Sequence, residues 1–173
     1  MKTHHKKSER LVTKVFQDVF DKYDLMNDIM SLGIHRIWKD KFIDWMNPSY
    51  NSSLIDVASG TGDIAKLFSL RNKNLPSITC IEPNENMFKK GKSNLVNFKN
   101  IKWIKSRAET LPVEDNMYDF YSISYGIRNV SGINKTLREA YRVLKPGGRF
   151  MCLEFSKIDN ELLNALYKNY SKI

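Results

Sequence analysis

The sequence predicts an α/β fold in which helices cover a parallel sheet. From residue 54 onward, short apolar runs alternate with segments of helical periodicity, and turns rich in glycine, proline and asparagine separate them. The length of 173 residues suits one domain of ordinary size. Hydrophobic residues make up 42% of the chain and charged residues 27%, which is typical of a globular protein. No apolar run approaches the roughly 18 residues that a membrane span needs.

The predicted elements follow one another in a regular order. Helical periodicity before residue 50 is carried by Leu11, Val15, Val19 and Phe20 and by a second segment from Ile34 to Trp45. Strands are predicted over residues 54–58, 77–81, 101–104, 118–125 and 149–155, with helices up to residue 70 and over residues 85–96 and 133–143. The segment Lys145–Gly148 is predicted as a turn. We therefore expect an N-terminal helical cap, residues 1–50, and a core, residues 51–173, within one domain.

The first strand ends in the loop Ser59-Gly60-Thr61-Gly62. Glycines at this place let a ligand approach backbone amides that a Cβ would shield. Glu82 ends the second strand, 22 positions after Gly60, close to the offset of about 20 residues at which an acidic side chain binds a ribose diol. Gly60 and Gly62 are therefore candidate cofactor-binding residues, and the expected cofactor carries a nucleoside.

The sequence of this loop is compatible with two cofactor classes, a dinucleotide and S-adenosylmethionine. Residues Gly60 to Ala65 match G-x-G-x-x-G/A, which would admit a dinucleotide. Asp63 at the helix start and Asp56 before the loop would repel a pyrophosphate, whereas they favour the ammonium and sulfonium groups of S-adenosylmethionine. We therefore predict S-adenosylmethionine as the cofactor and place Asp56 among the residues that bind it.

Several segments resemble the ubiquinone/menaquinone biosynthesis C-methyltransferase family. The resemblance runs from about Val15 to Tyr170, and its most specific segments are Tyr23–Asp28, His35–Lys39 and Gly126–Val130. It implies a Rossmann-like class I methyltransferase fold with a mostly parallel sheet. It also implies methyl transfer from S-adenosylmethionine to a ring carbon of a polyprenylated benzoquinol or naphthoquinol. The family continues further at its C-terminus, so the last strands of the sheet are expected to be missing.

The resemblance assigns cofactor contacts by position to Thr61, Glu82, Arg107, Ala108 and Ser124. Glu82 stands where the family usually has Asp, and its longer side chain still reaches a ribose. Arg107 stands where the family usually has Asn, so an adenine contact there would come from the Arg107 backbone or from Ala108.

Arg128 and Asn129 follow the fourth strand, whose carboxyl end borders the ligand crevice in open α/β sheets. The Arg128 guanidinium could stabilise the phenolate that forms as a quinol loses its hydroxyl proton, while Asn129 and Tyr125 orient the ring. These three residues are the catalytic candidates. The alternative for Arg128 is a structural ion pair, since a buried arginine needs a partner. The alternative function is a catalytically impaired scaffold subunit of a quinone-synthesis assembly that binds S-adenosylmethionine.

Other residues with reactive or aromatic side chains have simpler interpretations. His35 is expected to be structural. Trp38, Phe42 and Trp45 are expected to form a buried helix face, with contact to an isoprenoid tail as the alternative. Cys80 and Cys152 lie in apolar stretches without metal-ligand spacing, so we expect buried free thiols and no metal site.

The formal charge of +9 raises the question of nucleic acid as a partner. Seven basic residues and no acidic one lie between Lys89 and Arg107, but they lack the interleaved aromatic residues of a stacking platform. We expect no nucleic-acid partner, and a basic surface that suits an anionic membrane or a quinone-synthesis complex. Without a secretory signal, a cytoplasmic location with peripheral contact at the inner membrane is expected. An exposed sheet edge leaves a homodimer open.

Overall fold

A computed structural model describes residues 34–72 and 76–155 of the chain. The strands are β1 (Leu54–Val57), β2 (Ile78–Ile81), β3 (Ile101–Ile104), β4 (Tyr118–Ser124) and β5 (Leu144–Leu153). The helices are α1 (Ile34–Met46), α2 (Asp63–Arg71), α3 (Glu85–Asn94) and α4 (Ile133–Val143), with a 3₁₀ turn at Ile127–Asn129. The sheet order is β3-β2-β1-β4-β5, and each neighbouring pair is parallel.

The predicted alternation of strands and helices is confirmed. Apart from β5, the element ends that the sequence predicts lie within two residues of the observed ends. The helical segment predicted around residues 11–20 and the segment Tyr23–Asp28 lie outside the described residues.

The start of β5 differs from the prediction. Leu144 pairs with Tyr118, and the next paired residue of β5, Arg149, lies opposite Phe120. Residues 145–148 therefore take the place opposite the single residue Asp119, which makes them a large bulge within the strand rather than a turn between separate elements. Gly147 has φ +80°, in the left-handed region that favours glycine. The bulge sets the register that brings Leu153 opposite Ser124 at the far end of the pair.

Helices cover both faces of the sheet and bury the central strand completely. β1 is buried at all four positions, as expected for a strand that lies between two others and beneath helices on both faces. On one face, α1 and α2 pack against residues such as Leu54 and Phe120. On the other face, Ala140 and Val143 of α4 pack against Ile55 and Tyr121.

The helix α1 packs directly on the sheet, but with a different face from the one predicted. Its buried residues are His35, Phe42, Ile43 and Met46. Trp38 is 39% exposed and Trp45 is 72% exposed, so the prediction that both are buried is wrong. At about 100° per residue, Trp38, Phe42 and Trp45 span roughly 60° of the helix circumference, and only the Phe42 edge of this arc meets the core.

Candidate active site

The predicted site residues gather at one edge of the sheet. Because the strands are parallel, their carboxyl ends lie along the same edge, where open α/β sheets bind ligands. The glycine loop follows β1, Glu82 follows β2, Arg107 and Ala108 follow β3, and Ser124 and Tyr125 lie at the end of β4. Residues that are up to 66 positions apart in the sequence thus lie along one edge of the sheet.

The two glycines of the loop that follows β1 are required for different physical reasons. Gly60 has φ +57° and Gly62 has φ +88°, so both occupy the left-handed region. A Cβ added at Gly62 would lie 2.6 Å from Leu95 Cδ1, which shows that Gly62 is needed for packing. A Cβ added at Gly60 would have no heavy atom within 4 Å. The space beside Gly60 is open, as a ligand that approaches the loop requires.

Glu82 is tied to this loop through its carboxylate. The Gly60 amide donates to Glu82 Oε2 at 2.8 Å, and the Asn84 amide donates to Oε1 at 2.8 Å. Glu82 is only 4% exposed, and burial raises its pKa although the two amides act in the opposite direction. Each carboxylate oxygen can accept a second hydrogen bond, so the same group can hold the loop and accept from a diol.

Asp56 lies within the sheet rather than on the surface of the loop. Ser122 Oγ donates to Asp56 Oδ1 at 2.7 Å, while Oδ2 is enclosed and accepts no hydrogen bond from the described residues. Burial raises the pKa of Asp56 to about 7. The carboxyl is therefore partly protonated near neutral pH and carries less negative charge than the sequence argument assumes.

Asp63, the second carboxylate in that argument, is paired. Lys39 Nζ of α1 lies 2.6 Å from Asp63 Oδ2. The ion pair offsets the charge of Asp63 at the start of α2 and joins α1 to the end of the glycine loop. The electrostatic case against a dinucleotide is thus weaker than the sequence indicates, because both carboxylates are at least partly neutralised.

The remaining cofactor candidates differ in exposure. Ala108 is 6% exposed and packs beneath the crevice, while Arg107 is exposed and Thr61 is half-buried. Ser124 Oγ is enclosed and has no hydrogen-bond partner in the part of the chain that is described.

The catalytic candidates Arg128 and Tyr125 lie in a group that we call the aromatic cluster, formed by Trp38, Tyr125, Arg128, Glu154 and Phe155. The Tyr125 and Phe155 rings stack with centroids 4.9 Å apart, and the edge of Trp38 contacts Phe155 at 5.9 Å. The Arg128 guanidinium lies 5.6 Å from the Phe155 centroid and forms an ion pair with Glu154. Arg128 thus has the ion-pair partner that the alternative interpretation requires, although its side chain is 36% exposed.

Sequence reasoning missed Glu154 and Phe155 as site residues. Both follow the last residue of β5, and the register places them beside the end of β4. Their position at the end of a predicted strand, on the sheet edge where open α/β sheets bind ligands, is the sequence signal that could have identified them. Asn129, the third catalytic candidate, is exposed, and its amide donates to the Gly126 carbonyl at 3.0 Å.

The cysteines and His35 are the remaining residues that the sequence singles out. Cys80 is buried as predicted, but Cys152 is exposed because β5 lies at the edge of the described sheet, so that prediction is wrong for Cys152. His35 is 4% exposed. In the described residues, no helix is long and apolar enough to cross a bilayer.

Comparison with known proteins assigns the family. The model of the ubiE/COQ5 methyltransferase family matches residues 2–173. The chain belongs to this family. A protein of Rickettsia prowazekii (strain Madrid E), named ubiquinone/menaquinone biosynthesis C-methyltransferase UbiE, is 49% identical over 98% of this chain and 71% of its own length. A protein of the same name from Rickettsia bellii (strain OSU 85-389) is 50% identical over 99% of this chain and 70% of its own length.

Solved structures confirm the fold. A SAM-dependent methyltransferase from Aquifex aeolicus aligns with a TM-score of 0.59 at 22% identity, over 65% of this chain and 62% of its own. The cyclase SpnF aligns with a TM-score of 0.66 at 23% identity, over 72% of this chain and 46% of its own. A cyclase among these structures illustrates that the fold alone does not determine the reaction. The predicted Rossmann-like fold and the predicted methyltransferase family are both confirmed.

Proposed function

We propose that this chain transfers the methyl group of S-adenosylmethionine to a ring carbon of a polyprenylated benzoquinol or naphthoquinol. The observation that carries the proposal is the family match over residues 2–173, with relatives near 50% identity that are named for this C-methylation. Family membership confirms the predictions of a methyltransferase and of S-adenosylmethionine as its cofactor. The site geometry supports a division of the crevice into a cofactor side and a substrate side.

The cofactor side is the crevice beside β1 and β2. The open space next to Gly60 lets the cofactor meet the loop, and Glu82, held by two amides, accepts from the ribose hydroxyls. Thr61, Gly62, Arg107 and Ala108 border the same crevice in our assignment. The enclosed and unpartnered atoms Asp56 Oδ2 and Ser124 Oγ are acceptors suited to the ammonium group of the methionine moiety.

The substrate side is the aromatic cluster. S-Adenosylmethionine supplies an electrophilic methyl group when it is bound, so the chain has to align a nucleophilic ring carbon with it. The half-buried Phe155 ring, which stacks on the buried Tyr125 ring at an angle of 28°, is the platform for a flat quinol ring. Arg128 beside this platform stabilises negative charge on a ring oxygen, and Asn129 contributes to the orientation of the ring.

A polyprenyl tail requires an apolar surface or a membrane close to the site. The helix α1 exposes Ile37 and Trp45, and Lys41 lies on the same side of the helix. Trp38 of this helix joins it to the aromatic cluster. Tryptophan and lysine side chains are favoured at membrane interfaces. We therefore assign α1 to peripheral contact with the inner membrane that supplies the lipid substrate.

The test of the function is a transfer assay with the purified chain. Short-chain demethyl benzoquinol and demethyl naphthoquinol are each incubated with S-adenosylmethionine that carries a deuterated methyl group, and products are analysed by mass spectrometry. We expect a deuterated methyl group on a ring carbon of at least one quinol. Calorimetry with S-adenosylmethionine and NAD is done in parallel. Cofactor binding without turnover on either quinol would favour the scaffold alternative, and binding of NAD alone would overturn the cofactor assignment.

A further inference from the structure

Glu154 has one carboxylate oxygen that is occupied and one that is not. Oε1 forms the ion pair with Arg128 and accepts from the Phe155 amide at 3.0 Å. Oε2 is enclosed and accepts no hydrogen bond within the described residues. The side chain as a whole is 19% exposed, so Glu154 lies at the inner side of the pair and Arg128 at its more open side.

An enclosed carboxylate oxygen without a donor is unfavourable. Leaving such a group unsatisfied costs free energy of desolvation, and the cost is larger when the group is charged. Arg128 compensates the charge through Oε1, but the lone pairs of Oε2 still lack a proton donor. Oε2 lies at the sheet edge where open α/β sheets bind ligands. We therefore expect the ligand itself to donate a hydrogen bond to this oxygen.

The surroundings of Glu154 identify the class of that donor. Glu154 immediately follows β5, beside the end of β4, and its neighbour Phe155 stacks on Tyr125. A ligand that matches this place combines a flat aromatic ring with an acidic hydroxyl group. A quinol has both, so this step rests on the function proposed above.

We propose that Glu154 is the general base of the reaction. Oε2 takes the hydroxyl proton of the bound quinol, and Arg128 stabilises the negative charge that then develops on the quinol oxygen. The ring carbon forms a bond to the methyl carbon as the bond from that carbon to sulfur breaks, and sulfur keeps the electron pair. The methylated ring carbon then loses its hydrogen as a proton to water. Glu154 returns its proton to the ring oxygen, which restores the aromatic quinol, so one proton is released in each turnover.

The described titratable and charged groups that face Glu154 are few. Arg128 contacts it from the 3₁₀ turn. Tyr125 lies at the end of β4, where burial and, to a smaller extent, the Glu154 charge raise the pKa of Tyr125 to about 12. Cys152, two residues earlier, also has its pKa raised by burial and by Glu154. Tyr125 and Cys152 therefore stay protonated at neutral pH, which leaves Glu154 as the proton acceptor in the cluster.

The test compares Glu154→Gln with Glu139→Gln in the full chain. The glutamine keeps the size of the side chain and an oxygen that accepts from Arg128, but it cannot take a proton. Glu139 on α4 forms a comparable ion pair with Arg142 at 2.8 Å, away from the cluster, and so serves as the matched control. For each protein, kcat is measured from pH 5 to pH 9 with the demethyl quinol that the wild type methylates, together with the Kd of S-adenosylmethionine and the melting temperature.

We expect Glu154→Gln to lower kcat by roughly a hundredfold or more, the scale of a lost general base. Without the carboxylate the reaction depends on hydroxide, so kcat of the variant should rise more steeply with pH than kcat of the wild type, while cofactor Kd stays within twofold. If Glu154 only positions Arg128, the variant would retain more than a tenth of kcat and the same dependence of kcat on pH as the wild type. That result, or a loss no greater than that of Glu139→Gln, would overturn the proposal. Absence of wild-type turnover on both quinols would instead overturn the proposed function on which it rests.

Discussion

Two glutamates follow strands at the same edge of the sheet, and their surroundings differ. Both oxygens of Glu82, after β2, accept from backbone amides of the loops around it. Only one oxygen of Glu154, after β5, is bonded, and the other is enclosed without a donor in the described structure. A carboxylate that accepts from backbone amides with both oxygens is held in position before any ligand binds. A carboxylate with one unbonded oxygen can receive the missing hydrogen bond from its ligand. The comparison therefore agrees with our proposal of a preformed cofactor side at Glu82 and a substrate side at Glu154 that is completed by the quinol.

The largest effect is expected on the substrate side, at Arg128. Arg128→Ala should lower turnover by roughly a hundredfold or more, the scale of losing one oxyanion donor, with cofactor affinity nearly unchanged. Arg128→Lys should recover only part of the activity, because a point charge cannot reproduce the guanidinium fork. Turnover and melting temperature are measured together, with the exposed Arg138→Ala as the control. A fall in activity that tracks a collapse in stability would assign Arg128 to a structural ion pair instead.

The next effect concerns Asp56, beneath the cofactor side. Burial raises its folded-state pKa from 3.8 to about 7, so the protonated carboxyl stabilises the fold below pH 3.8, and this stabilisation is lost as the pH rises through about 7. Asp56→Asn removes the titration and keeps an oxygen that accepts from Ser122. Relative to this variant, the wild type should lose about 2–3 kcal/mol of unfolding free energy between pH 5 and pH 8. Denaturant unfolding at both pH values checks this, and a difference independent of pH would contradict it.

On the cofactor side, Glu82→Ala should raise the Kd of S-adenosylmethionine roughly tenfold or more. The ribose would lose charge-assisted hydrogen bonds worth about 1.5–3 kcal/mol, and the Gly60 and Asn84 amides would lose their acceptor. Calorimetry measures the affinity. The control is Glu85→Ala three residues later, which removes a glutamate that pairs with Lys89 and Lys105 at the surface. An affinity within twofold of wild type would mean that Glu82 does not reach the ribose.

The smallest effects are expected from alanine substitutions of the two loop glycines, Gly60 and Gly62, which should differ in whether they lower stability or cofactor affinity. Gly62→Ala adds a Cβ at 2.6 Å from Leu95, so we expect it to lower the unfolding free energy by about 2 kcal/mol. The Cβ that Gly60→Ala adds contacts no heavy atom, so the unfolding free energy should fall only by the cost of the left-handed backbone, about 1 kcal/mol. The added methyl group, however, occupies the space assigned to the cofactor. Affinity should fall more for Gly60→Ala, and stability more for Gly62→Ala. The reverse order in denaturant unfolding and calorimetry would place the cofactor elsewhere.

The sequence predicted the alternation of elements because the signals involved are local. The apolar run that forms β1, the glycines after it and the periodicity of α4 each act within a few residues of the chain. The offset between Gly60 and Glu82 predicted that both serve one cofactor, and parallel strands bring the two residues to the same edge of the sheet. Local signals do not say which side of a helix faces the sheet. Trp38 and Trp45 share an arc with Phe42, yet only Phe42 is buried.

The sequence by itself thus determined the fold class, the family, and the loops that form the ligand edge. The tertiary structure alone decided the charge state and the partners of the carboxylates. Asp56 is partly neutralised by burial, Asp63 is paired with Lys39 from a different helix, and Glu154 meets Arg128 across 26 positions of sequence. The physical reason is that the pKa and the hydrogen bonds of a carboxylate depend on groups brought close by packing, and sequence spacing does not encode those distances.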